Sequence, residues 1–296
     1  MLRLEPTDDK YGKGELPERV EARVAALLGK EAATWFPSGT MAQQIALRIH
    51  SDARGRKAVA FHPHCHLDVH EERGYAVLHG LHAVLLGSRN RLFTLADLEQ
   101  VAEPLAAVLV ELPQRDLGGQ LPSWDELVAI TELARAKGAA VHMDGARLWQ
   151  CGPFYGRALA EIAALFDTVY VSLYKDLGAG AGCMLAGPAG FVAESQVWRV
   201  RHGGRMYRIG HYLEAAERGL DEVLPRMPDL VAHAQELAAA LVERGAEVVP
   251  DPPQTAMLHA LRGARRTEWT VQVGELETPV SELADQVLGR LEPESE

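Results

Sequence analysis

Cysteines and long apolar runs are scarce in this sequence, and each scarcity excludes a class of protein. The chain of 296 residues has three cysteines, Cys65, Cys151 and Cys183. An odd number of widely spaced cysteines does not make a disulfide framework and is typical of reduced thiols in a cytoplasmic protein. No apolar run reaches the roughly 18 residues that span a membrane, and the N-terminal segment lacks the apolar core of a signal peptide. We therefore expect a cytoplasmic protein without a membrane segment.

Positive charge is also in short supply. The chain has 30 Lys and Arg residues against 41 Asp and Glu residues, a formal net charge of -11. This charge has the wrong sign for a general nucleic-acid binder or for a protein that binds anionic membranes. An anionic small molecule would therefore need a local cluster of donors. Hydrophobic residues make up 47% of the chain, enough for a large core without metal or disulfide crosslinks.

Short apolar runs alternate with segments of helical periodicity over the first two thirds of the chain. The apolar runs predict strands, for example Ala32–Phe36, Ala58–Phe61 and Thr168–Ser172, and the periodic segments predict helices between them. Strands separated by helices are the signature of crossover units. We therefore expect an α/β fold with a mostly parallel sheet and helices on both of its faces.

The last third of the chain has a different pattern. Long helical segments follow Gly190, and two short strands and a terminal helix are predicted after Pro250. We expect three parts: an N-terminal arm of residues 1–14, a large domain of residues 15–225, and a small C-terminal α/β subdomain of residues 226–296.

A candidate phosphate-binding turn follows the strand predicted at Ala32–Phe36. The turn Pro37-Ser38-Gly39-Thr40 leads directly into a predicted helix, so it offers free backbone N–H groups, two hydroxyls and the positive end of the helix. Serine, threonine and glycine before a helix are also ordinary capping residues. The turn alone therefore does not establish a phosphate site.

An acid and a lysine follow two other predicted strands, at the sheet edge where open α/β folds bind their ligands. Asp144 ends the apolar run AVHMD, and Lys175 follows the run TVYVS and precedes the glycine-rich stretch LGAGAG. Lys175 is one of six lysines and the only one beyond residue 137. A lysine next to an apolar strand end is hard to explain as a surface charge, whereas a desolvated amine can form an imine.

Together, the turn, Asp144 and Lys175 are the parts that a pyridoxal phosphate site requires. A lysine holds the cofactor aldehyde, an acid keeps the pyridine nitrogen protonated, and an anion-binding turn holds the phosphate. The chain also resembles the threonine aldolase and β-eliminating lyase group of fold-type-I pyridoxal-phosphate-dependent enzymes. The resemblance rests on the segments KEAATWFPSGTMAQ, HMDGARLW and SLYKDLGAGAG and covers about residues 9–220.

The resemblance implies a fold, an activity and an assembly. The fold is that of the fold-type-I pyridoxal-phosphate-dependent transferases, a mostly parallel sheet between helices. The activity is that of an aldehyde-lyase that uses pyridoxal 5'-phosphate to cleave a β-hydroxy-α-amino acid to glycine and an aldehyde. The assembly is a homodimer or homotetramer in which subunits share their active sites.

The resemblance also implies a role for each matching residue. Lys175, Asp144 and His66 are expected to be catalytic: the lysine binds the cofactor covalently, the acid contacts the pyridine nitrogen, and the histidine stacks on the ring. Arg147 is expected to hold the substrate carboxylate through its planar fork and to contact the cofactor. Phosphate contacts are expected from Ser38, Gly39, Thr40 and Ser172.

The histidine-rich segment 61–70 offers a rival interpretation. Zinc or another divalent metal could be bound there by His62, His64, Cys65, His66 and His70. Pro63 argues against a regular strand in this segment, and no HExxH motif accompanies it. We favour stacking by His66 and predict no metal site.

Three features of the family are missing from this chain, and one of them is the N-terminal Ser-Asp-Thr-Val-Thr stretch. The family usually has a histidine near the substrate hydroxyl after the strand that ends at Glu111, whereas residues 112–119 read LPQRDLGG. A second carboxylate-binding arginine cannot be assigned in the C-terminal part, where the nearby candidates are Arg265 and Arg266. Elimination at the β-carbon or other Cα chemistry is therefore an alternative activity. A non-catalytic cofactor- or metal-binding relative is an alternative of a different class.

A local positive cluster stands out on this acidic chain. It consists of Arg199, Arg201, His202, Arg205 and Arg208. The cluster is either a solvated face or a second source of phosphate and substrate contacts.

Overall fold

The computed structural model describes residues 9–262 and 267–291 as alternating strands and helices. The first half contains α1 (Glu15–Leu27), β1 (Ala32–Phe36), α2 (Gly39–Arg54), β2 (Ala58–Phe61), α3 (His66–Val69), α4 (Gly74–His79), β3 (His82–Leu85), α5 (Leu95–Glu99), β4 (Leu105–Glu111), α6 (Trp124–Ala136) and β5 (Ala140–Gly145). The second half contains α7 (Gly152–Tyr155), α8 (Leu159–Ala164), β6 (Thr168–Ser172), β7 (Cys183–Gly187), α9 (Ala189–Arg201), α10 (Gly210–Glu222), α11 (Met227–Glu243), β8 (Glu247–Val249), β9 (Met257–Arg262), β10 (Thr267–Gln272) and α12 (Val280–Leu291). None of the described helices combines the length and the hydropathy needed to cross a membrane.

A seven-stranded sheet organises the larger part of the chain, with the strand order β1-β7-β6-β5-β4-β2-β3. The neighbouring strands from β6 to β3 run parallel. Strand β7 is antiparallel to both of its neighbours, β1 and β6. The expectation of a mostly parallel sheet is confirmed, with one reversed strand.

Strand β7 is not predicted from the sequence, because it directly follows the glycine-rich stretch after Lys175. Residues 173–182 are the whole connection between β6 and β7. A parallel crossover needs a dozen or more residues, usually with a helix. The short connection therefore returns the chain antiparallel to β6, and Lys175 lies in this return loop.

Helices cover both faces of the sheet. On one face α2 buries Ile45 and Leu47 against the strands. On the other face, helices α1, α6, α8, α10 and α11 contribute to a single large core. The alternation along β5 separates the two faces: Val141 and Met143 belong to the large core, whereas His142 points to α2.

The C-terminal part contains a three-stranded antiparallel sheet, in the order β10-β9-β8, against which α11 and α12 pack. It docks closely on the loop after β4. An added Cβ at Gly118 would lie 2.1 Å from the Val249 carbonyl oxygen, and the Leu121 N–H donates to Gln254 Oε1 over 2.6 Å. Its apolar side chains join the large core, and the boundary at residue 225 stays a prediction.

Helix α6 shows how a local cap also joins two elements. Ser123 Oγ accepts the Glu126 backbone N–H over 3.2 Å, which satisfies one free donor of the first turn. In a full capping box the Glu126 carboxylate would bond back to Ser123. Here Glu126 Oε1 instead accepts the Leu95 N–H over 2.6 Å and so links α6 to α5.

Gly219 allows α10 to pack directly on the loop that follows Lys175. An added Cβ would lie 2.0 Å from the Leu177 carbonyl oxygen. We expect Gly219→Ala to lower the free energy of unfolding by about 1–3 kcal/mol because backbone atoms would have to move. The matched control is Gly289→Ala in α12, where an added Cβ meets nothing within 4 Å and alanine should stabilise by up to about 1 kcal/mol. Urea unfolding measures both variants, and equal effects would contradict the prediction.

Candidate active site

Most of the expected site residues line one cavity beyond the carboxyl ends of β5 and β6. The cavity is narrow, with a volume of about 60 Å³. Its lining consists of Ser38, Gly39, Thr40, Gln43, His66, Glu71, Asp144, Ala146, Tyr170, Tyr174 and Lys175. Two expected residues, Arg147 and Ser172, lie outside this lining.

The N-terminus of α2 forms one wall of the cavity and offers free donors. Ser38 is the N-cap, and its Oγ accepts the Met41 N–H over 3.3 Å. The N–H groups of Gly39 and Thr40 precede the first intrahelical bond and have no acceptor among the described residues. A side chain at position 39 is excluded, because its Cβ would lie 2.3 Å from the Tyr170 hydroxyl. The result is a small cradle suited to an anion.

Asp144 is a buried carboxylate at the end of β5. Its Oδ1 accepts the Ala146 N–H over 3.0 Å. Burial raises the pKa of Asp144 above its ordinary value, and the positive charge of Lys175 acts in the opposite direction. The parallel register places Asp144 between Glu111 of β4 and Tyr170 of β6. An acid in this position can form a strong bond to a protonated nitrogen in the cavity.

Glu111 is a second buried acid, which the sequence analysis did not single out as a site residue. Its Oε1 accepts the Arg115 N–H over 3.2 Å, and its Oε2 is buried with no partner in the described part of the chain. Burial and the negative charge of Asp144 raise the pKa of Glu111 to about 8. Both effects favour the protonated form of Glu111. Its signal in the sequence, an acid at the end of an apolar strand, is the same as that of Asp144.

Lys175 is half-buried in the return loop after β6. Ser172 Oγ accepts the N–H groups of both Tyr174 and Lys175, over 3.3 and 3.2 Å, which fixes the start of this loop. Burial lowers the pKa of Lys175, while the charge of Asp144 acts against that change. The position of Ser172 differs from the expected one. Its hydroxyl is turned into the loop and shapes the backbone at Lys175 instead of lining the cavity.

His66 is held by a carboxylate that the sequence analysis missed. Its Nδ1–H donates to Glu71 Oε1 over 2.8 Å, and Glu71 Oε2 is buried without a partner among the described residues. Glu72 and Arg73 follow in the left-handed conformation, with φ of 50° and 53°, which residues other than glycine rarely adopt. This turn between α3 and α4 carries Glu71 at the cavity wall.

The histidines of segment 61–70 do not converge on one point. His62 Nε2 contacts two backbone carbonyl oxygens 2.8 and 2.9 Å away, and His70 Nε2 donates to Asp116 Oδ2 over 3.1 Å. The described residues contain no group of three or more His, Cys, Asp or Glu side chains arranged to hold a metal ion. Asp116 belongs to the segment after β4 that lacks the expected histidine, so His70 supplies an imidazole there from elsewhere in the chain.

Arg147 lies beside the Lys175 loop and contacts the C-terminal sheet. Its Nε donates to Gln272 Oε1 of β10 over 2.7 Å. Gln272 Nε2 in turn donates to Asp176 Oδ1 over 2.9 Å and to the Lys175 carbonyl oxygen over 3.3 Å. Burial lowers the pKa of Arg147, and the negative charge of Asp176 opposes this effect. No signal in the sequence shows that β10 reaches the site, so Gln272 could not be predicted.

The basic cluster does not line the cavity. Arg199 is buried and donates to the backbone carbonyl of Trp35, and the Arg205 guanidinium lies over the Tyr11 ring, 4.9 Å from its centroid. These contacts are made within the fold around α9. The C-terminal candidates Arg265 and Arg266 lie outside the described residues.

The profile of the β-eliminating lyase family matches residues 1–261. The chain belongs to this family. The low-specificity L-threonine aldolase 1 of Arabidopsis thaliana is 30% identical over 253 residues, which cover 81% of this chain and 70% of the plant protein. The low specificity L-threonine aldolase of Escherichia coli O157:H7 is 28% identical over 261 residues, which cover 84% of this chain and 76% of the bacterial protein.

Solved structures support the same assignment to the β-eliminating lyase family. A candidate L-allo-threonine aldolase of Listeria monocytogenes superposes with a TM-score of 0.90 at 37% identity, over 96% of this chain and 88% of that one. Serine palmitoyltransferase of Sphingomonas wittichii shares the fold, with a TM-score of 0.68 at 15% identity over 95% and 76% of the two chains. The predicted fold-type-I architecture, the cofactor pyridoxal phosphate and the class of aldehyde-lyase are confirmed.

The chemistry of the cavity lining fits pyridoxal phosphate. The free N–H groups of Gly39 and Thr40 suit its phosphate, the buried acid Asp144 suits its pyridine nitrogen, and the amine of Lys175 suits its aldehyde. These three kinds of group line one cavity and come from three parts of the fold, the N-terminus of α2, the end of β5 and the loop after β6. An anionic aromatic aldehyde is therefore well matched to this site.

Glu111→Gln tests the raised pKa of Glu111. Between its ordinary value of 4.5 and about 8, the Glu111 carboxyl is protonated in the folded chain and ionised in the unfolded chain. The unfolded state then binds fewer protons, so this group makes stability fall as pH rises through that window. Glutamine has no such proton. The free energy of unfolding of the variant relative to the parent should therefore rise from pH 5 to pH 8, by at least about 1 kcal/mol.

The measurement is urea unfolding of the cofactor-free proteins at several pH values. Glu99→Gln, at an exposed position in α5, is the control and should show a difference that does not change with pH. A flat difference for Glu111→Gln as well would show that Glu111 ionises as an ordinary acid in the folded chain.

Proposed function

We propose that this chain cleaves the Cα–Cβ bond of a β-hydroxy-α-amino acid and releases glycine and an aldehyde. The names of the Arabidopsis and Escherichia relatives suggest threonine, which would give glycine and acetaldehyde. The observation that carries the proposal is the placement of Lys175, Asp144 and the free N–H groups of α2 around one cavity. An amine, an acid and an anion cradle are the groups that this chemistry requires.

The cofactor is held by groups from three elements. The ε-amine of Lys175, whose pKa burial lowers, would hold the cofactor through its aldehyde. Asp144 keeps a proton on the pyridine nitrogen. When bound, pyridoxal phosphate supplies a conjugated ring that accepts the electron pair left on Cα. The phosphate is held at the N-terminus of α2 by Ser38, Gly39 and Thr40.

Arg147 holds the α-carboxylate of the substrate. A guanidinium grips a carboxylate through two parallel charge-assisted hydrogen bonds, and lysine cannot supply that geometry. The bond from Arg147 Nε to Gln272 orients the guanidinium and uses neither of its two terminal nitrogens. Gln272 is thus a positioning residue for the substrate site.

Cleavage also needs a base that removes the proton of the β-hydroxyl. His66 lines the cavity, and its ring lies 5.0 Å from that of His70. Because Glu71 accepts the His66 Nδ1–H, the neutral ring has its free lone pair on Nε2. We propose that the base is one of these two imidazoles. His66 is the one that packs on the cofactor.

The same proposal includes the assembly and the compartment of the protein. Cys65, Cys151 and Cys183 are free and buried, which supports a reducing compartment such as the cytoplasm. The exposed apolar side chains Val77 and Leu78 support contacts between subunits. We therefore propose a cytoplasmic homodimer or homotetramer, with active sites formed between subunits.

Lys175→Ala tests the covalent attachment. Borohydride treatment of the parent with pyridoxal phosphate should trap the cofactor on Lys175, as located by peptide mass spectrometry. The variant should lose this adduct and at least about 1,000-fold in turnover, whereas Lys57→Ala, at an exposed position, should keep both. Glycine and aldehyde are assayed over a panel of β-hydroxy amino acids. An adduct on another lysine would contradict the assignment, and release of ammonia without glycine would indicate β-elimination.

Arg147→Ala tests the carboxylate site. Loss of one partner of a desolvated charged pair costs about 2–5 kcal/mol, so kcat/KM should fall roughly 30-fold to several-thousand-fold. Arg147→Lys should be nearly as poor, and Gln272→Ala should mainly raise KM, because it leaves the guanidinium in place but unsupported. The control is Arg157→Ala, which removes an exposed arginine stacked on Trp124. Steady-state kinetics with unchanged kcat/KM in Arg147→Ala would remove Arg147 from the substrate site.

A further inference from the structure

Gln43 places an unused hydrogen-bond donor in the cofactor cavity. It lies in the second turn of α2, is 1% exposed and lines the cavity. Its Nε2 is buried and has no partner among the described residues, whereas its Oε1 accepts a bond of 2.6 Å from His142 Nε2. A buried amide nitrogen without an acceptor is costly unless a ligand supplies one.

Behind Gln43, a chain of buried polar side chains crosses from β5 to the far end of α2. His142 Nδ1 lies 2.8 Å from Thr168 Oγ1, and Thr168 Oγ1 lies 2.8 Å from His50 Nε2. All four side chains are buried. Burial lowers the pKa of His142 to about 3 and that of His50 to about 4, so both rings are neutral at physiological pH.

The chain can have only one order of protons once the Gln43 oxygen faces His142. An amide oxygen only accepts, so His142 Nε2 carries the proton and Nδ1 of the neutral ring must accept. Thr168 therefore donates its single hydroxyl proton to His142, and it accepts the Nε2–H of His50. In this order, the amide of Gln43 has its oxygen in the core and its NH₂ toward the cavity.

We propose that Gln43 is a further cofactor-binding residue, whose NH₂ group donates to an oxygen of bound pyridoxal phosphate, and that His142, Thr168 and His50 are positioning residues for it. The inference rests on the proposed cofactor site. Pyridoxal phosphate has two kinds of oxygen that can accept such a bond, those of the phosphate and that of the ring hydroxyl. The carboxylates in the lining are also acceptors, but none lies within hydrogen-bond distance of Gln43 Nε2 in the described structure.

The test is the affinity of the cofactor-free protein for pyridoxal phosphate, from the equilibrium change in tryptophan fluorescence. Gln43→Met keeps the shape of the side chain and removes both donors, so Kd should rise roughly 10- to 100-fold. Gln43→Glu should bind pyridoxal phosphate at least as weakly as Gln43→Met, because it places a negative charge near an anionic ligand. The matched control is Gln44→Met, at the next position, which is also buried but outside the cavity lining, and its Kd should stay within about threefold of the parent.

A second arm repeats the titrations with pyridoxal, which lacks the phosphate. If Gln43 contacts the phosphate, pyridoxal affinity should be the same in the parent and in Gln43→Met. If it contacts the ring hydroxyl, affinity for both compounds should fall together. Unchanged affinity for both in a folded Gln43→Met would overturn the inference.

A third measurement does not depend on a variant at position 43. In ¹⁵N-histidine-labelled cofactor-free parent, the rings of His142 and His50 should carry their proton on Nε2 and should not titrate between pH 5 and pH 8. Reference spectra of His142→Phe and His50→Phe assign the signals. Protons on Nδ1 of both rings would mean that the amide presents its oxygen to the cavity, which contradicts the proposal.

These outcomes are separable from failure of the proposed function. A parent that binds pyridoxal phosphate but releases no glycine from any β-hydroxy amino acid would refute the proposed reaction and leave the affinity test intact. If the parent cleaves the substrate and Gln43→Met binds pyridoxal phosphate with the same Kd as the parent, only the role of Gln43 is refuted.

Discussion

The parallel pairing of β4, β5 and β6 is the constraint on which the rest of the site depends. It brings Glu111, Asp144 and Tyr170 to the same level at one edge of the sheet. The N-terminus of α2 and the loop that carries Lys175 lie at the same edge. Burial there opposes charge on every ionisable group. Asp144 and Lys175 each reduce the effect of burial on the pKa of the other, whereas the negative charge of Asp144 adds to the effect of burial on the pKa of Glu111. A ligand with both negative and protonatable groups complements such an edge.

The cavity residues that follow a predicted strand could be identified from local sequence pattern. Ser38, Gly39 and Thr40 form a turn before a helix, and Asp144 and Lys175 follow apolar strands, so local pattern and the rule for strand ends suffice. Ser172 was expected to contact the phosphate but does not line the cavity, because its hydroxyl accepts the N–H groups of Tyr174 and Lys175. Strand β7 was missed because it directly follows the glycine-rich stretch after Lys175, and one of its two partners, β1, lies far away in the chain.

The supporting groups could not be predicted, because their function depends on distant partners. Glu71 is one of two consecutive acids, and only the left-handed turn after it shows which of them reaches His66. Gln43 and Gln272 are ordinary polar residues of a helix and a strand until tertiary packing gives them His142 and Arg147 as neighbours. Neutral amides carry no charge pattern, so composition and periodicity do not distinguish them from surface residues.

The hydrogen bonds of Gln272 divide the site into two parts, the surroundings of Arg147 and the cofactor cavity. One amide joins Arg147, Asp176 and the carbonyl of Lys175, and it is supplied by the last strand of the C-terminal sheet. The cofactor cavity itself is built entirely from residues before that sheet. Divergence in the C-terminal part can therefore alter the substrates that are accepted without altering the cofactor, so that related chains could share one chemistry and differ in the amino acids they use.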